Sequence, residues 1–393
     1  MGGGSEPPYP APMSRLQPAR ARDVRIDAIR GLALMMIFVD HIPRDVLGFV
    51  TLHDFGFCDA AEVFVLLAGV SSVLAYGRAF EREGALAGLR RIALRCGRIY
   101  VFQVGMLLLT MAVVYLWDRG RHEAPGKLAP LFQAPITGLE YGLTLRALPT
   151  YLDILPLYIV LLAVFPFVYL VLRRSAWLAL GLSGLVWMAA NLDPWLDLPN
   201  WIDGKGWYFN PFAWQFLFTL GAVLANVLVR RERGLLTYRP WLAALCWAYL
   251  FGAFLQAAPW HDWGLPDLRP LAVEAPDKSL LAWPRILDIG ALVYVAFSST
   301  RVDEWARHRF AWPLAACGRH SLEVFSTSCM LALLSRLGFR AFGPGPGMQV
   351  LVNAAGVGSM VLVAVWLERS RERAVVRAPG RLVSAGGGAA GQD

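Results

Sequence analysis

The chain has 393 residues, of which 56% are hydrophobic and 17% charged, with a formal net charge of +8 and a mean hydropathy of +0.47. A water-soluble domain carries about 25% charged residues, so this composition excludes an ordinary soluble fold and points to an integral membrane protein. The positive balance is then no nucleic-acid signal, because lysine and arginine collect in the cytoplasmic segments of such chains.

Residues 1–24 are rich in Gly, Pro and Arg and lack the apolar core of a cleavable signal peptide. They read as a disordered cytoplasmic tail. Apolar runs near bilayer length then recur from residue 30 to 367. They predict helices near 29–48, 60–77, 97–117, 153–172, 175–192, 212–229, 241–258, 284–299, 314–335 and 348–367. The expected fold class is an all-α polytopic integral membrane protein of about ten transmembrane helices, forming one domain over residues 25–370. Residues 371–393, ending AGGGAAGQD, are of low complexity and read as a second disordered cytoplasmic tail.

An even number of crossings puts both termini on one side. With the N-terminus inside, 24 of the 37 lysines and arginines fall on inner segments and 11 on outer ones. That bias satisfies the positive-inside rule, so both ends are expected in the cytoplasm. The five cysteines (Cys58, Cys96, Cys246, Cys317, Cys329) show neither CxxC nor His/Cys spacing. An odd, dispersed set argues against a disulfide framework and a zinc site, and neither a metal nor a tightly bound cofactor is expected.

The first predicted helix carries RIDAIRGLALMMIFVDHIP, residues 25–43. Ionisable groups are costly inside a bilayer and mark functional sites when present. Arg30 and His41 are eleven residues apart, which on a helix returns to within about 20° of the starting direction. The rise separates them by about 16 Å, with Arg30 near the inner boundary and His41 toward the outside. Such a pair suits a ligand with a charged head at one end and a reactive group at the other, as in acyl-CoA. Each residue alone has an ordinary explanation, Arg30 in the headgroups and His41 as a packed, hydrogen-bonded side chain. Their joint placement favours function. Asp40 points about 100° away from His41 and is expected to pair with another helix.

Further polar residues group by side. Asp59 and Glu62 open the second predicted helix at i, i+3, where they also complement its dipole. Asp153 opens the fourth, and Asn210 and Gln215 flank the start of the sixth. Lys278 and Arg285, seven apart, enter the eighth with Asp288 a turn deeper. His41, Asp59, Glu62, Asp153, Gln215, Lys278 and Arg285 therefore share the outer level, and such a mixed set suits a hydroxyl-rich sugar. Lys278 and Arg285 would either read a carboxylate on an acyl group or simply pair with Asp59, Glu62 and Asp288. The loop aromatics (Trp195, Trp201, Trp207, Tyr208, Trp260, Trp263) fit an interfacial belt or, alternatively, a sugar-stacking platform. On the inner side, Arg95 and Arg98 share a face of the third helix and suit phosphate. Arg319 and His320, with Glu323, begin the ninth helix and join them as candidate acyl-CoA contacts.

Arg30 and His41 also fit the R-x10-H signature of the membrane acyltransferase-3 superfamily. The longer strings RIDAIRGLALMMIFVDHIP, FGFCDAAEVFVLLAG (55–69), LRRIALRCGRIYVFQ (89–103), LDILPLY (152–158), FNPFAWQFLFTLG (209–221), KSLLAWPRILDI (278–289) and GRHSLEVFS (318–326) resemble the OpgC family within it. The resemblance runs in order from about residue 23 to 367. It implies transfer of a succinyl or closely related acyl group from cytoplasmic acyl-CoA to hydroxyls of an osmoregulated periplasmic glucan. His41 would be the general base, the setting a bacterial inner membrane, and the partners acyl-CoA, the glucan and membrane lipid. Asp45 and Cys58 stand where close relatives are expected to carry Asn and Ser. The rival reading is a transporter or flippase of a glycan or acyl compound, which intramembrane charges would also serve. It predicts inverted internal repeats, and no self-similarity between halves is evident. A membrane scaffold without catalysis leaves His41 unexplained.

Overall fold

The computed structural model describes residues 23–121, 128–193, 195–230 and 237–376, and among them the secondary structure is helical apart from an isolated bridge between Pro199 and Gly206. In chain order the helices are α1 (Val24–Asp40), α2 (Ala60–Arg82), α3 (Ala85–Arg121), α4 (Ala129–Gln133), α5 (Pro135–Leu143), α6 (Ile154–Arg174) and α7 (Ala176–Leu192). They continue with α8 (Pro211–Arg230), α9 (Pro240–Ala257), α10 (Trp283–Ser298), α11 (Thr300–Arg307), α12 (Trp312–Arg319), α13 (Ser321–Phe342) and α14 (Pro346–Val376). Seven of them, α2, α3, α6, α8, α9, α13 and α14, are long and apolar enough to cross a membrane. α1, α7 and α10, at 17, 17 and 16 residues, fall short of the roughly 20 residues that span a hydrocarbon core. Each of the ten predicted apolar stretches nevertheless overlaps one of these ten helices. The expected tails lie largely outside the described residues, although α14 continues as helix through Val376.

Boundaries moved for local reasons. The first helix ends at Asp40 rather than near residue 48, because Pro43 cannot continue the helical hydrogen bonding and Arg44 turns to a positive φ of 64°. A separate 3-10 turn follows over Val46–Val50, capped by the Asp45 carboxylate accepting from the Leu47 N–H at 3.0 Å. The segment expected as a loop at 118–152 contains α4 and α5. The ninth predicted helix is two, broken at His320, where Arg319 and His320 both turn to Glu368 of α14.

Glycines set the closest helix crossings. A Cβ on Gly69 of α2 would strike the Phe218 carbonyl of α8, and one on Gly221 of α8 would strike the Leu66 carbonyl of α2. The same reciprocity joins α1 to α12, with Gly31 against the Leu314 carbonyl and Gly318 against the Asp27 carbonyl. Small residues that admit backbone contact are the means by which helices pack where hydrophobic burial gives no net drive. Around these crossings Leu34, Phe38, Leu67, Phe165, Trp214, Phe218 and Phe325 form a fully buried core. The result fixes the C-terminal end of α1 beside the N-terminal end of α2.

Candidate functional site

At that junction lies a cavity of about 1110 Å³. The last turn of α1, the first turns of α2 and α6, and loop residues from 42–54, 148–151, 200–209, Asp262 and Lys278 line it. His41 stands in its wall. The residue follows the last turn of α1, with its amide N–H donating to the Ile37 and Phe38 carbonyls. The imidazole thereby sits just past the C-terminal end of α1, where its burial favours the neutral ring. Its ring packs 4.3 Å from that of Tyr151 at 52°. Nδ1 is buried with no hydrogen-bond partner among the described residues, which leaves Nε2 as the nitrogen able to exchange protons with a cavity ligand. Asp40 also lines the cavity, and its electrostatic neighbours are Thr51, Asp59, His53 and Lys278 rather than His41.

The expected outer constellation divides into three parts. Asp59, Asp153 and Lys278 reach the cavity with His41. Glu62 and Arg285 sit behind them, joined at 2.6 Å and both buried. Asp59 ties the layers together: it caps α2 by accepting from the Ala61 N–H at 2.8 Å, pairs with Lys278, and lies 3.8 Å from Arg285. Glu62 completes the cap by accepting the Asp59 N–H at 3.0 Å. So the carboxylates serve the helix terminus and the cations together. Gln215 is not at the cavity. Its amide donates to the Ser183 carbonyl at 2.8 Å and its oxygen accepts the Ser183 hydroxyl at 2.6 Å, joining α8 to α7. Asn210 is likewise structural, accepting the Phe212 N–H at 2.9 Å to cap α8.

Asp45 and Cys58, the two positions expected to differ from close relatives, are both built into the frame. Asp45 accepts two bonds from the Asn353 amide, at 3.0 and 2.8 Å, while also lining the cavity. Cys58 is buried, and its N–H donates to Asp288 at 2.8 Å. Among the loop aromatics, Tyr208 lines the cavity beside Phe209, with Lys278 Nζ at 6.0 and 5.6 Å from the two ring centres. Trp260 and Trp263 instead pack in a cluster with Phe254 and Phe55.

Seven aspartates line the cavity (Asp40, Asp45, Asp54, Asp59, Asp153, Asp203 and Asp262) against two full cations, Arg44 and Lys278. This wall suits a neutral ligand rich in hydroxyl donors and opposes a strongly anionic one. In the turn outside α1, burial pushes the Asp54 carboxyl above the usual carboxylate range.

Arg30 does not line this cavity. It is buried, donating from Nη2 to the Leu67 carbonyl at 2.7 Å and to the Ser71 hydroxyl, so that it ties α1 to α2. The other inner candidates are held by acids. Arg98 pairs with Glu323 at 2.5 Å, and Arg319 and His320 pair with the two oxygens of Glu368 at 3.0 and 2.9 Å. Arg95 is half-buried on α3.

Two residues that sequence reasoning missed stand next to His41. Tyr151 adopts φ +75°, a conformation that bulky residues rarely take. The Arg336 guanidinium lies 4.3 Å over its ring. Neither carries a sequence signal of its own: Arg336 follows the ninth predicted helix as one of the 11 outer charges, and Tyr151 lies in a loop.

The family model described as OpgC protein matches residues 22–372, almost the whole described chain. No curated protein matches the sequence.

Proposed function

We propose, since this chain belongs to the OpgC family, that it is a multi-pass acyltransferase of a bacterial inner membrane that moves an acyl group from cytoplasmic acyl-CoA to hydroxyls of a periplasmic glucan. The family and the membrane-type helical fold fit a membrane enzyme. The observation that carries the finer reading is His41, presented at the end of α1 in the wall of a cavity large enough for a sugar unit and lined by acceptors for its hydroxyls.

In this reading a glucan hydroxyl enters the cavity and hydrogen-bonds to Nε2 of His41, which burial keeps neutral near pH 7. The hydroxyl oxygen bonds to the thioester carbonyl carbon, and the carbon–sulfur bond breaks. His41 takes the hydroxyl proton and returns it to the departing thiolate, so the products are an ester and free CoA. General-base help contributes about 10²–10⁴-fold, and positioning of the two substrates supplies the larger remainder. Asp59, Asp153 and Lys278 hold the acceptor. Arg30 keeps α1, and with it His41, in register against α2. The donor's phosphates would enter at the opposite end of α1, toward Arg95, and would have to draw Arg98, Arg319 and His320 from Glu323 and Glu368.

The test is incubation of the purified protein with succinyl-CoA and a glucan, read by mass spectrometry of the glucan and by release of CoA thiol. Ester formation by wild type and its loss in His41→Ala support the reading. Undiminished ester formation in His41→Ala removes the base assignment, and movement of glucan across vesicles without ester supports a transporter instead.

A further inference from the structure

Beside the His41 cavity lies a second one of about 540 Å³, and the two share Pro43, Arg44, Thr150 and Tyr151 in their walls. Its chemistry is the reverse of its neighbour's. Arg44, Arg336 and Arg340 line it, and no Asp or Glu does. None of these three guanidiniums has a carboxylate within ion-pair distance among the described residues. The remainder of the wall is apolar, with Leu333, Leu337 and Phe339 of α13 prominent.

We propose that this smaller cavity seats the acyl group of the donor, and that Arg336, assisted by Arg340 and Arg44, reads a carboxylate at the far end of that group. The proposal rests on acyl transfer at His41 and on the succinyl donor that the family resemblance implies, and it adds the residues that read that donor's carboxylate. Three observations carry it. The cations expected to read such a carboxylate, Lys278 and Arg285, are already engaged by Asp59 and Glu62. The seven-aspartate wall of the larger cavity repels an anion, whereas the smaller cavity offers guanidiniums with no carboxylate partner among the described residues. Arg336 is also close: Tyr151 is packed 4.3 Å from the His41 ring, and the Arg336 guanidinium lies 4.3 Å from Tyr151. A four-carbon acyl chain covers three carbon–carbon bonds of about 1.5 Å each, which with contact distances at both ends matches those two steps. The methylenes would lie on Leu337 and Phe339, and Tyr151 would form the partition around which the chain passes.

The test compares succinyl-CoA with butyryl-CoA, a donor of the same chain length ending in a methyl group. It uses the full-length wild type, Arg336→Gln, Arg336→Lys and Arg340→Gln. A hydrogen bond to a charged group contributes about 1.5–3 kcal/mol. Arg336→Gln should therefore lower the ratio of succinyl to butyryl kcat/KM roughly 10–100-fold. Arg336→Lys should recover part of that ratio, and Arg340→Gln should lower it less. Equal loss with both donors overturns the proposal, because Arg336 would then act only by holding Tyr151 and His41. So does a wild type that uses butyryl-CoA and refuses succinyl-CoA, a result that leaves acyl transfer itself intact. Activity that depends on phosphatidylglycerol for both donors alike, with the dependence lost in Arg336→Gln, assigns the cavity to a lipid headgroup and overturns it too. Transfer of neither donor by wild type removes the underlying reading as well.

Discussion

Glu62→Gln offers the sharpest probe of the frame behind the site. Glu62 is fully buried, and its carboxylate meets the buried Arg285 guanidinium at 2.6 Å. The amide keeps an oxygen to accept the Asp59 N–H, so the cap of α2 survives, while its NH2 replaces the charged oxygen that accepted from Arg285. Breaking a buried pair by deleting one partner costs about 3–5 kcal/mol, because the remaining ion stays desolvated. Asp59 lies 3.8 Å from the same guanidinium but also serves Lys278. Partial compensation by Asp59 places the expected cost at the lower end, about 3 kcal/mol. Thermal unfolding in detergent, followed by tryptophan fluorescence, should show a clear drop in Tm. Glu62→Gln/Arg285→Met, which removes both charges, should regain a substantial part of it, since neutralising a buried pair is often tolerated. A Tm for Glu62→Gln equal to wild type, or a double variant worse than the sum of the two singles, would refute the reasoning.

Other outcomes follow from single features. Gly69→Ala forces a Cβ onto the Phe218 carbonyl, and overpacking of this kind costs about 1–3 kcal/mol; Tm in detergent should fall, while Gly97→Ala, in open space on α3, should leave it within error. Tyr151 sits at φ +75°, where an L-residue pays roughly 1–2 kcal/mol. Tyr151→Gly should accordingly unfold at a higher temperature than Tyr151→Ala, the reverse of the usual order, and both should lose transfer activity through His41. Ser71→Val removes a hydroxyl that accepts from the buried Arg30, and should cost about 1–3 kcal/mol by the same unfolding assay.

Much of the helical framework was legible because hydrophobic run length is a local property. Proline and glycine shifted boundaries in ways also written locally: Pro43 shortens α1, and Gly84 at φ +91° separates α2 from an α3 that begins well before residue 97. The meeting of His41, Asp59, Asp153 and Lys278 was readable from the side of the membrane each was assigned to. What level alone cannot supply is direction around a helix axis and choice of neighbour. Gln215 shares the expected level yet turns to Ser183, and Arg30 turns to α2. Arg336 and Tyr151 were invisible for the same reason. One comes from the end of α13 and the other from the turn before α6, and only packing brings them to His41.

The most direct measurement places the substrates on opposite sides of a membrane. Protein is reconstituted in vesicles with succinyl-CoA on one side and glucan on the side to which the His41 cavity opens, and esterified glucan is counted. The account predicts ester in that arrangement with wild type, and a loss of about 10²–10⁴-fold in His41→Ala. Ester formed equally by both proteins, or only when donor and acceptor share one side, would contradict it.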